Sequence, residues 1–139
     1  MSGMSLPDVA EKMRDIDIAM LCTLTEGKAI AARPMSNNRD VTYDGDSYYF
    51  TWERSRMVSD IERQPTVSLT FQGSKQFAVA VEGTAELIRD KDHFEKHWNA
   101  DLDHWFEDGI DTPDIVMIKV HAERIHYWDG EDGGEVKLG

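Results

Sequence analysis

Apolar positions change their period along the chain, and the changes outline the elements. "SLPDVAEKMRDI" puts Val9, Met13 and Ile16 at helical spacing, with Pro7 in the first turn and Asp8 three residues after Ser5, which predicts a short amphipathic helix. From Ala19, "AMLCTLTEGKAIAARPMS" reads as two antiparallel strands around Glu26-Gly27-Lys28, a hairpin-sized gap. "NNRDVTYDGDS" is turn-rich, and the aromatic "YYFTW" after it is a third strand. "SRMVSDIERQ" places Met57, Val58 and Ile61 on one helical face and stops before Pro65, which disfavours helical geometry at Gln64.

Strict alternation returns in "TVSLTF", where Val67, Leu69 and Phe71 point one way, and in "FAVAVEGTAELI", where Gly83 marks a bulge or a close backbone approach. "DKDHFEKHWNADLDHWFED" carries Phe94, Trp98, Leu102 and Trp105 as the stripe of one long helix, and "DIVMIKVHAERIHYWD" closes the pattern with a sixth strand. Connections are short and leave no room for repeated parallel crossovers. The expected fold is mainly β: a six-stranded antiparallel barrel or half-open barrel with peripheral helices. It forms one domain over residues 1–139, with 129–139, "DGEDGGEVKLG", as a loose tail.

Composition narrows the function. The 139 residues include 15 basic and 27 acidic side chains for a net charge of -12, which repels nucleic acid and anionic membrane surfaces. An anionic small molecule needs a local reversal of that potential by arginines, backbone amides or a helix N-terminus. Cys22 is the single cysteine and lies in an apolar strand pattern. An internal disulfide, a C-x-x-C redox pair and a cysteine zinc cluster are therefore excluded, and a buried thiol is expected. No run reaches about 18 apolar residues, and the N-terminal stretch lacks the basic-then-apolar order of a signal peptide; a soluble cytoplasmic protein is the expectation.

The local reversal is in "FTWERSRMVSDIERQP". Ser55 is placed to cap the helix, so the free amides of its first turn point back toward the preceding strand end, where Thr51 adds a hydroxyl. Arg54 and Arg56 bring guanidinium forks that match a phosphate. The competing reading pairs both arginines with Glu53, Asp60 or Glu62 on the surface. In "AARPMSN", Pro34 removes a ladder donor and holds Arg33 extended, which signals an edge or irregular strand position. Trp128 in "RIHYWDG" either flanks an aromatic ligand or caps the core.

Taken in order, "ARPM", "FTWERSRM", "VEGTAELI" and "RIHYWDG" resemble the FMN-binding split-barrel superfamily named for pyridoxamine 5'-phosphate oxidase, especially its general stress protein branch. The resemblance covers most of Ala19 to Gly130. It implies an FMN phosphate held by Ser55 and Arg56 with Met57 beside them, and a cofactor wall of Thr51 and Trp52. It further implies a flavin ring along Arg33, Pro34, Met35 and Ser36, with Trp128 at its rim, and a homodimer whose two barrels share each pocket. Arg54 is left on the surface.

The chain also departs from the oxidase. Met57 stands where a second basic residue often follows, Ala78 falls near the place of a flavin-contacting glutamine, and the C-terminal arginine- and histidine-bearing substrate segment is missing. FMN binding survives these departures better than pyridoxamine phosphate oxidation does. The expected function is an FMN-dependent oxidoreductase acting on a small redox substrate. No side chain is assigned as proton donor. Its rivals are a flavin carrier or sensor without turnover, and a split barrel using haem or a deazaflavin.

Two other chemistries have weaker support. His93, His97 and His104 fall on nearly one side of the predicted long helix, but at ~1.5 Å per residue the last two are about 10 Å apart along it, too far to share an ion. Ser55 has no recognisable base or orienting partner for nucleophilic work.

Overall fold

The computed structural model of the chain describes residues 3–37, 43–98, 100–136 and 138, so much of the turn-rich stretch before the third strand lies outside the described residues. Helix α1 (Leu6–Met13) forms where its apolar spacing predicts and is closed at its start by reciprocal bonds: Ser5 Oγ accepts from the Asp8 amide and Asp8 accepts from the Ser5 amide. Those bonds hold the Asp8 carboxyl below its usual range. Val9, Ala10 and Met13 bury one face of α1 against the sheet core.

Strands β1 (Ile18–Leu24) and β2 (Ile30–Ser36) form the predicted antiparallel hairpin. Lys28 takes the left-handed conformation in its turn, and Thr25 Oγ1 accepts from the Ala29 amide. After β3 (Asp46–Trp52), helix α2 (Arg56–Arg63) buries Met57, Val58 and Ile61 and ends at an extended Gln64 before Pro65. Strands β4 (Thr66–Gln72), β5 (Phe77–Ile88) and β6 (Ile115–Asp129) follow.

Every pairing is antiparallel, and the strand order is β2-β1-β4-β5-β6-β3. The first and last strands of that order do not pair, which leaves the barrel split between β2 and β3. Inward-facing Leu21, Leu69, Phe71, Val81, Ile118 and Ile125 are almost wholly buried and fill the interior. Between Glu82 and Gly83 the β5–β6 register slips by one residue. A Cβ on Gly83 would stand 2.1 Å from the His121 carbonyl oxygen, so this bulge is possible only with glycine.

Two expectations need correction. Within residues 129–139, expected as a loose tail, Asp132–Val136 form β7, a seventh strand, which pairs with Ile125–Asp129 of β6. Because β5 occupies one edge of β6 throughout, β3 and β7 share its other edge in succession. Val136 is buried there, and Tyr127 Oη accepts from the Met4 amide.

The long helix is not continuous either. Helix α3 (Lys91–His97) ends at Trp98, whose backbone is extended, and a 3-10 helix follows over Ala100–His104. The polar "NAD" after Trp98 favours turns, and the Trp98 indole donates to Asp103. Phe94 and Phe106 are buried with Phe50 and Met117 in a second apolar cluster, against which Trp98 and Leu102 pack. Trp105, expected on the stripe, is instead 70% exposed. No helix among the described residues is long and apolar enough to cross a membrane.

Candidate functional site

The split between β2 and β3 is a cleft of about 510 Å³. Strand β2 supplies Arg33, Pro34, Met35 and Ser36, and β3 supplies the run Tyr48 to Trp52. Because β2 pairs only with β1 among the described residues, Pro34 sits on an edge strand, the kind of sheet position that tolerates proline. The third side is the segment after β5, with His97, Leu102, Trp105 and Phe106.

Past Arg33 and Pro34 the cleft gives way to a cavity of about 270 Å³ between the β1–β2 hairpin and α2, where Arg56, Met57 and Asp60 form the walls. One hydrogen bond ties the two spaces together. Arg33 Nη1 donates to Ser55 Oγ at 3.2 Å, and the same oxygen caps α2 by accepting from the Met57 amide at 3.2 Å. Of the residues singled out from the sequence, Arg33, Pro34, Met35, Ser36, Thr51 and Trp52 line the cleft, Arg56 and Met57 line the adjoining cavity, and Ser55 is the link.

Trp128 does not join them. It lies near the far end of the 15-residue β6, between Ala78 and Gly133, and is 46% exposed. Ala78, which the resemblance sets near the place of an oxidase glutamine, is at that same end, and Gln76 lies in the preceding turn with a left-handed backbone.

The surface-pairing reading of the arginines fails. Arg89 takes Glu53 and lies near Glu62, holding the Glu53 carboxyl below its usual range, while Arg63 takes Asp60. Asp60, only 3% exposed, also accepts from Thr23 Oγ1 at 3.1 Å, so its charge is satisfied before any ligand arrives. Among the described residues no carboxylate lies within ion-pair distance of Arg33, Arg54 or Arg56. Arg54 stacks over the Trp52 ring at 5.5 Å. Two unneutralised guanidinium groups, a capped helix start and its amides thus converge in a protein of net charge -12.

Sequence reasoning missed the third wall. His97 stacks on Tyr48 with ring centroids 3.5 Å apart, and burial, followed by His93, Lys96 and Lys119, lowers its pKa against a smaller opposing effect of Asp44. Its signal was there, since residue 97 lies one step before Trp98 of the apolar stripe, but the stripe was read as a packing face only. His93 bonds Asp90 instead, and His104 is exposed in the 3-10 helix. Among the described residues no group of three or more His, Cys, Asp or Glu side chains could hold a metal ion. The Cys22 thiol is half-buried and raised by burial. The geometry suits a planar ligand with an anionic tail: aromatic walls on one side, two arginines and helix amides on the other.

Comparison with known proteins identifies the family and the fold. The family model described as "Pyridoxamine 5'-phosphate oxidase like" matches residues 5–139. Protein bli-3 of Neurospora crassa is 29% identical over 91 residues, which span 59% of this chain but only 44% of that protein, under half its length. A Clostridium acetobutylicum protein related to general stress protein 26 of Bacillus subtilis, of the pyridoxinephosphate oxidase family, superposes with a TM-score of 0.83 at 21% identity, covering 96% of this chain and 94% of its own. A haem-binding protein of Mycobacterium smegmatis gives a TM-score of 0.76 at 14% identity, covering 99% of this chain and 60% of its own. At such identities the structural likeness shows the fold alone, a split barrel. The family match, by contrast, takes in both edges of the cleft, α2 and β6, and on that ground the chain belongs to the pyridoxamine 5'-phosphate oxidase-like family.

Proposed function

We propose that the cleft and its adjoining cavity bind FMN and that the protein is an oxidoreductase acting on a small redox substrate. The observation that carries this reading is the Arg33–Ser55–Met57 link, which joins an anion-binding helix start to an aromatic cleft through one hydroxyl. Arg56, with its backbone amide, and Ser55 hold the phosphate; Arg33 reaches the Ser55 hydroxyl from the cleft side. Pro34, Met35 and Ser36 present an edge strand to the ring, opposite Thr51 and Trp52. FMN, when bound, supplies hydride or electron transfer, and the chain's part is position, charge and exclusion of water. Oxidation of pyridoxamine phosphate is left out, because alanine stands at 78 near the place of the oxidase glutamine, Gln76 is two residues too early to replace it, and Met57 adds no charge.

The working unit in this reading is a homodimer. Ile18 and Trp105 line the cleft yet are 49% and 70% exposed, a cost that a partner subunit removes. Trp128 reaches a flavin rim only if it belongs to the second copy. Sedimentation of the flavin-loaded protein tests this, with a dimer expected; a flavin-loaded monomer contradicts it. A soluble cytoplasmic setting is part of the same proposal.

Haem is the second reading, favoured by the His97 imidazole on the cleft wall. The visible spectrum of the purified protein separates the cases. Flavin bands are expected, whereas a Soret band or a deazaflavin spectrum overturns the reading. Reduction of the bound flavin by a nicotinamide cofactor then separates an enzyme from a carrier or sensor without turnover.

A further inference from the structure

Phe94, His97 and Trp98 come down together on the part of β3 that carries Tyr48 and Phe50. Phe94 meets the Phe50 ring edge-on at 5.5 Å, Trp98 meets the same ring at 4.8 Å, and His97 stacks on Tyr48 with the two planes 14° apart. The Trp98 indole is held in turn by Asp103 at 3.0 Å. Anchors at 94 and 98 thus fix the imidazole from both sides. Its place on the cleft wall is set before any ligand arrives.

The ring is kept uncharged by what surrounds it. Burial, then His93 and Lys96 of its own helix and Lys119 of β6, disfavours the imidazolium, and Asp44 works the other way. Lys119 is the register partner of Tyr48, so it stands directly across the stack. A neutral imidazole offers one N–H donor and one lone pair. His93, one turn earlier, is bonded to Asp90, whereas among the described residues no hydrogen bond engages the His97 ring. The wall it belongs to is otherwise Leu102, Trp105 and Phe106. Of these four side chains only the imidazole can accept a hydrogen bond, since an indole only donates.

We infer that His97, held on Tyr48, hydrogen-bonds the redox substrate of the cleft, and that this substrate is a planar aromatic molecule carrying an O–H or N–H donor. The inference rests on the proposed FMN site, which uses β2, Thr51, Trp52 and the start of α2 and leaves the His97 wall to the second reactant. Tyr48, Leu102 and Phe106 offer aromatic and apolar surface to a flat ring, and the imidazole lone pair takes its donor. Protonation removes that lone pair. Binding therefore weakens as pH falls through the His97 midpoint.

The test uses 4-methylphenol and 4-methylanisole, which share a ring and differ in the O–H. FMN loading is measured first, and its failure counts against the proposed function alone; the probes are then titrated into the unloaded chain, which has the same wall, and the outcomes below still decide. Chemical-shift titration of the His97 and Tyr48 rings in the FMN-loaded protein is expected to give 4-methylphenol a Kd about fivefold below that of 4-methylanisole. The advantage should vanish in His97→Phe, which keeps a stacked ring, return in His97→Gln, which restores an acceptor, and fade in the unsubstituted protein as pH falls through the His97 midpoint. Equal affinities, an advantage that persists in His97→Phe, or no response at the His97 ring overturns the inference. Should His97→Phe fail to fold, the probe pair and its pH dependence in the unsubstituted protein decide.

Discussion

Ser55 Oγ receives two donors, the Met57 amide and the Arg33 guanidinium, and Arg56 stands one residue further on without a carboxylate partner among the described residues. The helix dipole alone disfavours cations at this end, so an anion between them removes the conflict. Arg56→Ala is expected to weaken FMN binding by about 2 kcal/mol, roughly thirtyfold in Kd, because a charge-assisted bond is lost. Titration of FMN fluorescence with the variant measures this, and an unchanged Kd would return Arg56 to the surface. These residues were legible in the sequence because capping and charge act over neighbouring positions. His97 was not, since its place on the cleft wall arises from the break after it and from Tyr48, far away in the chain. Its lowered pKa has a sign that can be checked. The unfolded chain takes up a proton near pH 6.5 and the folded one only at lower pH, so His97 favours folding above that range and loses this contribution as pH falls through it. An NMR titration of the His97 ring with a midpoint below 6.5 is expected; a midpoint at or above 6.5 contradicts the burial.

At the scale of elements, period-2 alternation located β4, β5 and β6, while strand-like runs around a glycine turn located the hairpin and an aromatic run located β3. Gly83 was legible as well, and its role is steric: Gly83→Ala drives a methyl against the His121 carbonyl and is expected to cost roughly 3 kcal/mol or more in urea denaturation. A neutral outcome would mean that the bulge relaxes freely. Strand β7 escaped notice because "DGGEV" has glycines and acids in place of alternating apolar residues, and pairing with β6 decides its state. Val136 is its anchor in the core. Val136→Asp is expected to destabilise the fold by about 2 kcal/mol or more, whereas a loose tail would tolerate it within about 0.5 kcal/mol. The break after His97 escaped for a related reason: apolar spacing sees a stripe, but not the extended backbone at Trp98 that interrupts it.

For the whole molecule, the split makes the site. A sheet whose end strands do not meet leaves two edges facing a cleft, and α2 starts where one of those edges can reach it through Arg33. The net charge of -12 means that attraction for an anion is local, so binding should weaken with salt less than it would for a broadly basic surface. The central claim is that this composite site takes FMN. The most direct test is titration of a fixed, low concentration of FMN with the purified apoprotein while following flavin fluorescence. The account predicts a saturating change with an endpoint near one FMN per chain; fluorescence unchanged even at high protein concentration would contradict it.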